Sequence, residues 1–313
     1  MTTTIDPPRH DSPPEPPEPP EPPDDRIAVP KEPWPRRVGR AVSHGPLNLF
    51  LLVIALLWLL PAFGLLAASL RPEVANTQSG WWTIFDRLSS LTFENYRSIL
   101  ENDLIVHSFW NTVLITLPAT LLVVLVASLA AYAFAWIDFP GRDWTFVIVV
   151  ALLVVPIQVA LIPVASLYGR LGLYGDILGV VLFHVAFGLP FAIFLLRNFF
   201  AGIPRELLEA ARIDGASELK VFRTVVLPIG LPAIASLAIF QFLWVWNDLL
   251  VGLVFADTSH QPLTVAIRSQ LRQFGTNFDV IAPAAFLSML VPLVVFFAFQ
   301  RYFVEGLLAG SER

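Results

Sequence analysis

Polar and apolar positions segregate into long blocks along this chain. After a polar opening of about 35 residues come six apolar stretches: Leu47–Leu70, Ser108–Ile137, Trp144–Tyr168, Asp176–Phe199, Leu227–Ala256 and Val280–Phe303. Each holds at least 24 residues, and a helix needs about 20 to cross the ~30 Å hydrocarbon layer of a bilayer. The pattern predicts an all-α, polytopic membrane protein with six transmembrane helices. The first stretch starts too far into the chain and is too long to be the ~7–15-residue core of a signal peptide, so it reads as a retained anchor. Prolines 61, 118, 156, 163, 190 and 292 fall inside the spans, where neighbouring helices can satisfy the carbonyls that proline frees.

Charge sets the expected orientation. With the N-terminus inside, twelve Lys and Arg residues fall on the cytoplasmic side and six on the outer side, which favours both termini in the cytoplasm. Two substantial loops, about residues 71–107 and 257–279, then face outward. The domains expected are a Pro/Glu-rich tail over 1–40, a first helix with its outer loop over 41–107, and a core domain of five helices over 108–313 with a charged loop at 200–223.

Composition removes several classes of function. Hydrophobic residues make up 56% of the 313 and charged residues 14%, against roughly 25% charged in a soluble domain. The net charge of −5 resides in residues 1–35, with eight acids against three bases; the remainder is balanced at 17 and 17. No basic stripe is left for nucleic acid. The chain has no cysteine, which excludes disulfides, thiolate metal sites and cysteine nucleophiles. Its two lysines, Lys31 and Lys220, do not follow glycine, so no G-x-x-x-x-G-K-[ST] phosphate loop can be written. Thirteen of the 27 prolines lie in residues 1–35. That segment has little apolar surface to offset ordering, and reads as disordered or polyproline II, either a solvated tail or a dock for a proline-binding partner.

Ionisable groups deep in a bilayer are costly and usually functional. Here they reduce to His184 and Asp248. A rise of ~1.5 Å per residue from Leu227 puts Asp248 roughly 30 Å along its helix, as a wetted residue at the outer mouth. His184 reads as hydrogen-bonded within the bundle. No chain of acids and histidines suits proton coupling. The polar or amphipathic groups Gln158, Gln241, Trp244, Trp246 and Asn247 are candidates for lining a solute route, with interfacial anchoring and helix–helix bonding as the alternatives. Gly175-x-x-x-Gly179 fits close helix packing.

The most charged segment of the membrane-bound body runs from Arg197 to Arg223, between the fourth and fifth stretches. Pro204 suits a helix start, Glu206 puts negative charge near its positive end, Gly215 suits a left-handed stop, and Ser217 can cap a second helix. Leu207, Ala210, Ala211 and Asp214 recur at three- and four-residue spacing, which predicts a narrow small-residue face ringed by Glu206, Glu209 and Arg212.

Glu209-Ala210-Ala211, then Gly215 after three residues, then Leu227-Pro228 resembles the EAA loop of bacterial ABC importer permeases. Val225 stands where that family more often has isoleucine. Phe194–Phe200, Ala210–Ala216, Trp246-Asn247-Asp248, Gln300–Gly310 and Leu91–Tyr96 are similar to carbohydrate-uptake permeases, in particular the maltose-type G subunit, over about residues 47–310. The proline-rich tail and the final Ser311-Glu312-Arg313 depart from that pattern. The resemblance implies a type I importer permease fold and no enzymatic activity in this chain. It also implies a complex with a sister permease, two ABC ATPase subunits that carry ATP and Mg, and an extracellular or periplasmic solute-binding protein. In that scheme Glu206, Glu209, Ala210, Ala211, Asp214 and Gly215 couple the chain to an ATPase, with Glu209 as polar anchor. The solute is a sugar or oligosaccharide, and the place of action is the bacterial inner membrane with its lipid. An importer for a polyol or glycerol phosphate is the nearest alternative. An integral-membrane enzyme acting on lipid-linked sugar would need clustered carboxylates or histidines at one face, and the sequence has none.

Overall fold

The computed structural model describes the backbone of residues 34–309 apart from 87, 273, 274 and 277. The proline-rich tail over 1–33 and the last residues, 310–313, lie outside the described residues. In chain order the helices are α1 (Trp34–Ser69), α2 (Glu73–Gln78), α3 (Glu94–Leu100), α4 (Asp103–Trp136), α5 (Arg142–Ala151), α6 (Ile157–Leu171), α7 (Ile177–Phe200), α8 (Arg205–Ile213), α9 (Glu218–Val221), α10 (Leu227–Trp246), α11 (Leu250–Phe255), α12 (Leu263–Ser269) and α13 (Phe278–Ala309). A two-residue antiparallel pair, Leu271–Arg272 with Gly275–Thr276, is the one sheet among the described residues. The boundary between two compact units falls within α1, between Leu57 and Trp58.

Five helical segments are long and apolar enough to cross a bilayer: Gly45–Ser69, Asp103–Trp136, Ile177–Phe200, Glu218–Trp246 and Asp279–Arg301. The sixth expected span, Trp144–Tyr168, is not one straight helix. Its two halves, Arg142–Val154 and Ile157–Leu171, meet at 101°. Val155 precedes Pro156 and is extended, with ψ 115°, as the proline ring demands of its predecessor. Pro118 and Pro190 lie inside α4 and α7, which continue through them. The fifth span also begins and ends earlier in the chain than expected. It closes at Trp246, and α11 begins a new helix after Asn247.

α4 and α7 form the centre of the second unit. Ala119, Ala127 and Ala131 of α4 and Ala192 of α7 are fully buried, and small side chains let helix backbones approach closely where no hydrophobic drive separates helix from lipid. α10 packs on both helices, and its Gly230 leaves room for the Phe200 ring, which an added Cβ would meet at 2.6 Å. Near the Trp136 end of α4, Val123, Tyr132, Ile193, Leu196, Phe200, Leu208, Val221 and Phe222 share one apolar cluster. Toward the Asp103 end, Ile115, Tyr168, Phe183, Val251 and Phe255 share another.

Candidate functional site: the α8–α9 hairpin

The segment that joins α7 to α10 folds as its sequence dictates. α7 stops at Phe200, and Pro204, with ψ 130°, starts α8. Glu206 sits in the first turn and Arg212 in the last, each complementing the helix dipole. Gly215 adopts φ +78°, the left-handed conformation that ends helices. The Gly215 N–H donates to Arg212 O at 3.0 Å and the Ala216 N–H to Ala211 O at 3.0 Å, the paired closure of a Schellman turn. Ser217 holds the cap position of α9 with no side-chain cap bond.

Burial divides α8 into two faces. Leu208 is 0% exposed and packs into the cluster shared by α4 and α7, against which Ala211 and Ala216 also lie. Leu207 is 46% exposed and Ile213 85%. Glu206, Glu209, Ala210 and Asp214 are exposed around them. Of the small-residue face expected from spacing, Leu207, Ala210 and Asp214 point outward together, whereas Ala211 turns inward. Glu209 pairs along its own helix, its Oε1 2.8 Å from Arg205 Nε. A water-exposed pair of this kind adds well under 1 kcal/mol, so Glu209 retains freedom to change partner.

A polar network fastens the hairpin to α4. Tyr132 donates its hydroxyl to Glu218 Oε2 at 2.5 Å, and Arg212 Nε donates to Glu218 Oε1 at 2.9 Å. Arg212 Nη2 reaches Glu218 Oε2 at 3.1 Å and Trp136 O at 3.3 Å. Trp136 Nε1 donates to Phe200 O at 3.0 Å. The hydrogen bond to Glu218 raises the Arg212 guanidinium further above its already high range. Sequence reasoning passed over this network. Arg212 and Glu218 flank the Gly215 turn six residues apart, but Tyr132 is 86 residues away from Glu218, beyond any local pattern.

After α9 the chain takes one π turn, Phe222–Val226, before α10. Pro228 has no N–H to offer the Thr224 carbonyl four residues back, and a widened turn is the local answer.

The candidate route residues do not share one surface. Gln241, 5% exposed, and Trp244 line a cavity of about 240 Å³ with Phe187, Gly188, Phe191, Leu237 and Phe240. The Gln241 amide lies over the bare Gly188 backbone, where an added Cβ would meet it at 2.8 Å, and its Nε2 has no hydrogen-bond partner. Gln158 is exposed on α6, away from that cavity lining. Asn247 caps α10, its Nδ2 donating to Leu243 O at 2.8 Å. Trp246 is buried and donates to Ser288 O at 3.0 Å, joining α10 to α13.

Asp248 lies beyond the end of α10 and is not the wetted mouth residue expected. Its Oδ2 accepts the Val251 and Gly252 N–H groups at 2.9 and 3.2 Å, capping α11. It is also 3.8 Å from Nε2 of His184, which is 1% exposed and meets the Trp244 ring edge-on at 5.3 Å.

The described residues form a helical bundle with five helical segments long and apolar enough to cross a membrane and a fixed, partly apolar hairpin between two of them. Residues 123–308 match the binding-protein-dependent transport system inner membrane component family, and the chain belongs to that family. It is 48% identical over 275 residues to the osmoprotective compounds uptake permease GgtD of Synechocystis, covering 86% of this chain and 92% of that one. It is 47% identical over 229 residues to the alpha-glucoside transport permease AglG of Rhizobium meliloti, covering 71% of this chain and 60% of that one. The fold resembles a solved bacterial ABC transporter involved in alginate import, with TM-score 0.69, 22% identity, and coverage of 88% of this chain and 100% of that one. The chain is thus a multi-pass inner-membrane transport subunit, not an enzyme. It works with a binding protein and with ATPases carried on partner subunits.

Proposed function

We propose that this permease imports a sugar or oligosaccharide. It forms half of the pathway beside a sister permease, with both termini in the cytoplasm, and takes its energy from two ATPase subunits through the α8–α9 hairpin. The observation that carries the coupling role is the outward face of α8. Leu207 and Ile213 stand exposed among Glu206, Glu209, Ala210 and Asp214 on a helix whose opposite side is sealed into the bundle. A fixed helix with an unpartnered apolar centre and a charged rim suits a groove on another protein. Gly215 sets the angle of that helix. ATP-driven closure of the motor would push on this face and rock the bundle between two arrangements.

The sugar reading rests on the character of the relatives and on the Gln241–Trp244 cavity, which offers an amide beside aromatic faces. Gln158 and Asn247, which stand outside that cavity, belong to the same pathway reading. The osmolyte relative favours a second reading, a small polyhydroxylated osmoprotectant in place of an oligosaccharide. The test is purification and reconstitution of the whole transporter. Stoichiometric ATPase and sister permease, with receptor-dependent uptake of a sugar, are expected. Gly215→Val is expected to abolish uptake and weaken ATPase retention without removing the chain from the membrane, because a β-branched residue at positive φ is strained. Normal uptake by that variant would end the coupling assignment.

A further inference from the structure

The hairpin is tied to one membrane helix by side chains and joined to the next through an irregular turn. Tyr132 and Trp136 stand one turn apart on the last turns of α4. Both reach the hairpin, Tyr132 through Glu218 and Trp136 through its own carbonyl, which accepts from Arg212. Arg212 closes the last turn of α8 and Glu218 opens α9, so the pair also bridges the Gly215 turn. Beneath them the Tyr132 and Phe222 rings lie 5.4 Å apart, and Leu208 and Val221 are fully buried. The route onward to α10 runs through the π turn Phe222–Val226, where the helical hydrogen bonds widen to five-residue spacing ahead of Pro228.

We infer that Tyr132, Arg212 and Glu218 are positioning residues that make the coupling hairpin one rigid piece with the end of α4. Motion delivered to α8 thereby enters the bundle through α4 as well as along the helical segment Glu218–Trp246 that continues into α10. This rests on the coupling role proposed above. Three features favour it over a merely stabilising contact. The network is strung across elements that the apolar cluster already packs. It sits at the rim, where Arg212 and Glu218 are partly water-exposed. Its bidentate Arg–carboxylate geometry fixes direction as well as distance.

The test uses the assembled transporter in vesicles and reads solute moved per ATP hydrolysed. Arg212→Glu sets two acids side by side and is expected to lower that ratio roughly fivefold while ATP hydrolysis continues, the size of coupling usual within one network. The exchange Arg212→Glu with Glu218→Arg restores the opposite charges and is expected to recover most of the ratio, which a loss of folding would not allow. Tyr132→Phe keeps the ring against Phe222 and removes only the hydroxyl, with a smaller fall in the same ratio. An unchanged ratio in both Arg212→Glu and Tyr132→Phe overturns the inference, as does an exchange variant that assembles without recovery. If Gly215→Val stops transport while these variants do not, the tether alone is wrong; if Gly215→Val is also silent, the coupling role itself falls.

Discussion

The two ends of α4 are held in different ways. At the Trp136 end, an ion pair and a hydroxyl link helices through side chains, Tyr132 to Glu218 and Glu218 to Arg212, with Arg212 and the Trp136 indole also donating to the helix-end carbonyls Trp136 O and Phe200 O. At the Asp103 end, side chains bind the main chain of a loop. Asn111 Nδ2 donates to Ser259 O and Gln261 O at 2.9 and 3.2 Å, and Thr112 Oγ1 accepts the Leu263 N–H at 2.7 Å. His260 Nδ1 lies 2.9 Å from Gly175 O, and Thr264 donates to Asp248 O at 2.6 Å. The difference follows from what each backbone already has. Helices satisfy all but their terminal N–H and C=O groups, so at the hairpin only helix-end carbonyls such as Trp136 O and Phe200 O need outside donors. The Ser259 and Gln261 carbonyls lie outside any helix, and an unpaired buried backbone group is costly, so they take their donor from the neighbouring helix.

The comparison breaks most visibly at α8. Leu208→Ala removes a fully buried side chain from the cluster that joins the hairpin to α4 and α7, and is expected to cost about 2–5 kcal/mol, seen as a lower melting temperature in detergent. Leu207→Ala, next in sequence but on the outward face, is expected to leave melting nearly unchanged and to weaken retention of the ATPase subunits. Should Leu207→Ala lower the melting temperature as much as Leu208→Ala, the division of α8 into a buried and a docking face is wrong.

That division shows how far the sequence could be read. The start of α8 at Pro204, its stop at Gly215 and the charge at each end are local, and they were legible from residue type alone. The direction of the face was not. Spacing grouped Ala211 with Leu207 and Ala210, but Ala211 stands three residues after the fully buried Leu208 and shares its side of the helix, against the cluster. Spans four and six were legible because their apolar runs exceed bilayer thickness. The break at Pro156 was not, because Pro118 and Pro190 look the same in sequence and leave their helices unbroken. Asp248 was misplaced for a related reason: counting residues along a helix assumes that the helix continues, and α10 ends two residues earlier. The Tyr132–Glu218 bond depends on α4 meeting the hairpin, which only the folded chain decides.

At the other end of α4, Asn111→Leu leaves the Ser259 and Gln261 carbonyls without their shared donor. The expected cost is about 1–3 kcal/mol, less than that of Leu208→Ala, again read by melting. Solute moved per ATP should stay at the parent value in the protein that remains folded, because this end carries no part of the tether. A fall in that ratio equal to the one expected for Arg212→Glu would erase the distinction between the two ends.

The smallest expected effect is also the one that depends on pH. Asp257 Oδ1 accepts from Ser259 Oγ at 2.8 Å, from the Ser259 N–H at 3.0 Å and from the His260 N–H at 2.9 Å, and His260 Nδ1 lies 2.9 Å away. The bond from the Ser259 side chain is the largest influence holding its carboxyl below the ordinary value, and the His260 contacts act in the same direction. A carboxylate lowered on folding stabilises the fold above its unfolded pKa of about 4 and loses that contribution as the pH falls through the lowered folded value. Asp257→Asn keeps an acceptor oxygen but not the charge. It should melt slightly below the parent at neutral pH, and the gap should close on acidification through that window. The shift should be slight because the group faces water and solvent screens its charge. A gap that stays constant from neutral to acid pH would mean that the loop is held by shape and hydrogen bonding alone, and that charge has no share in fastening this end.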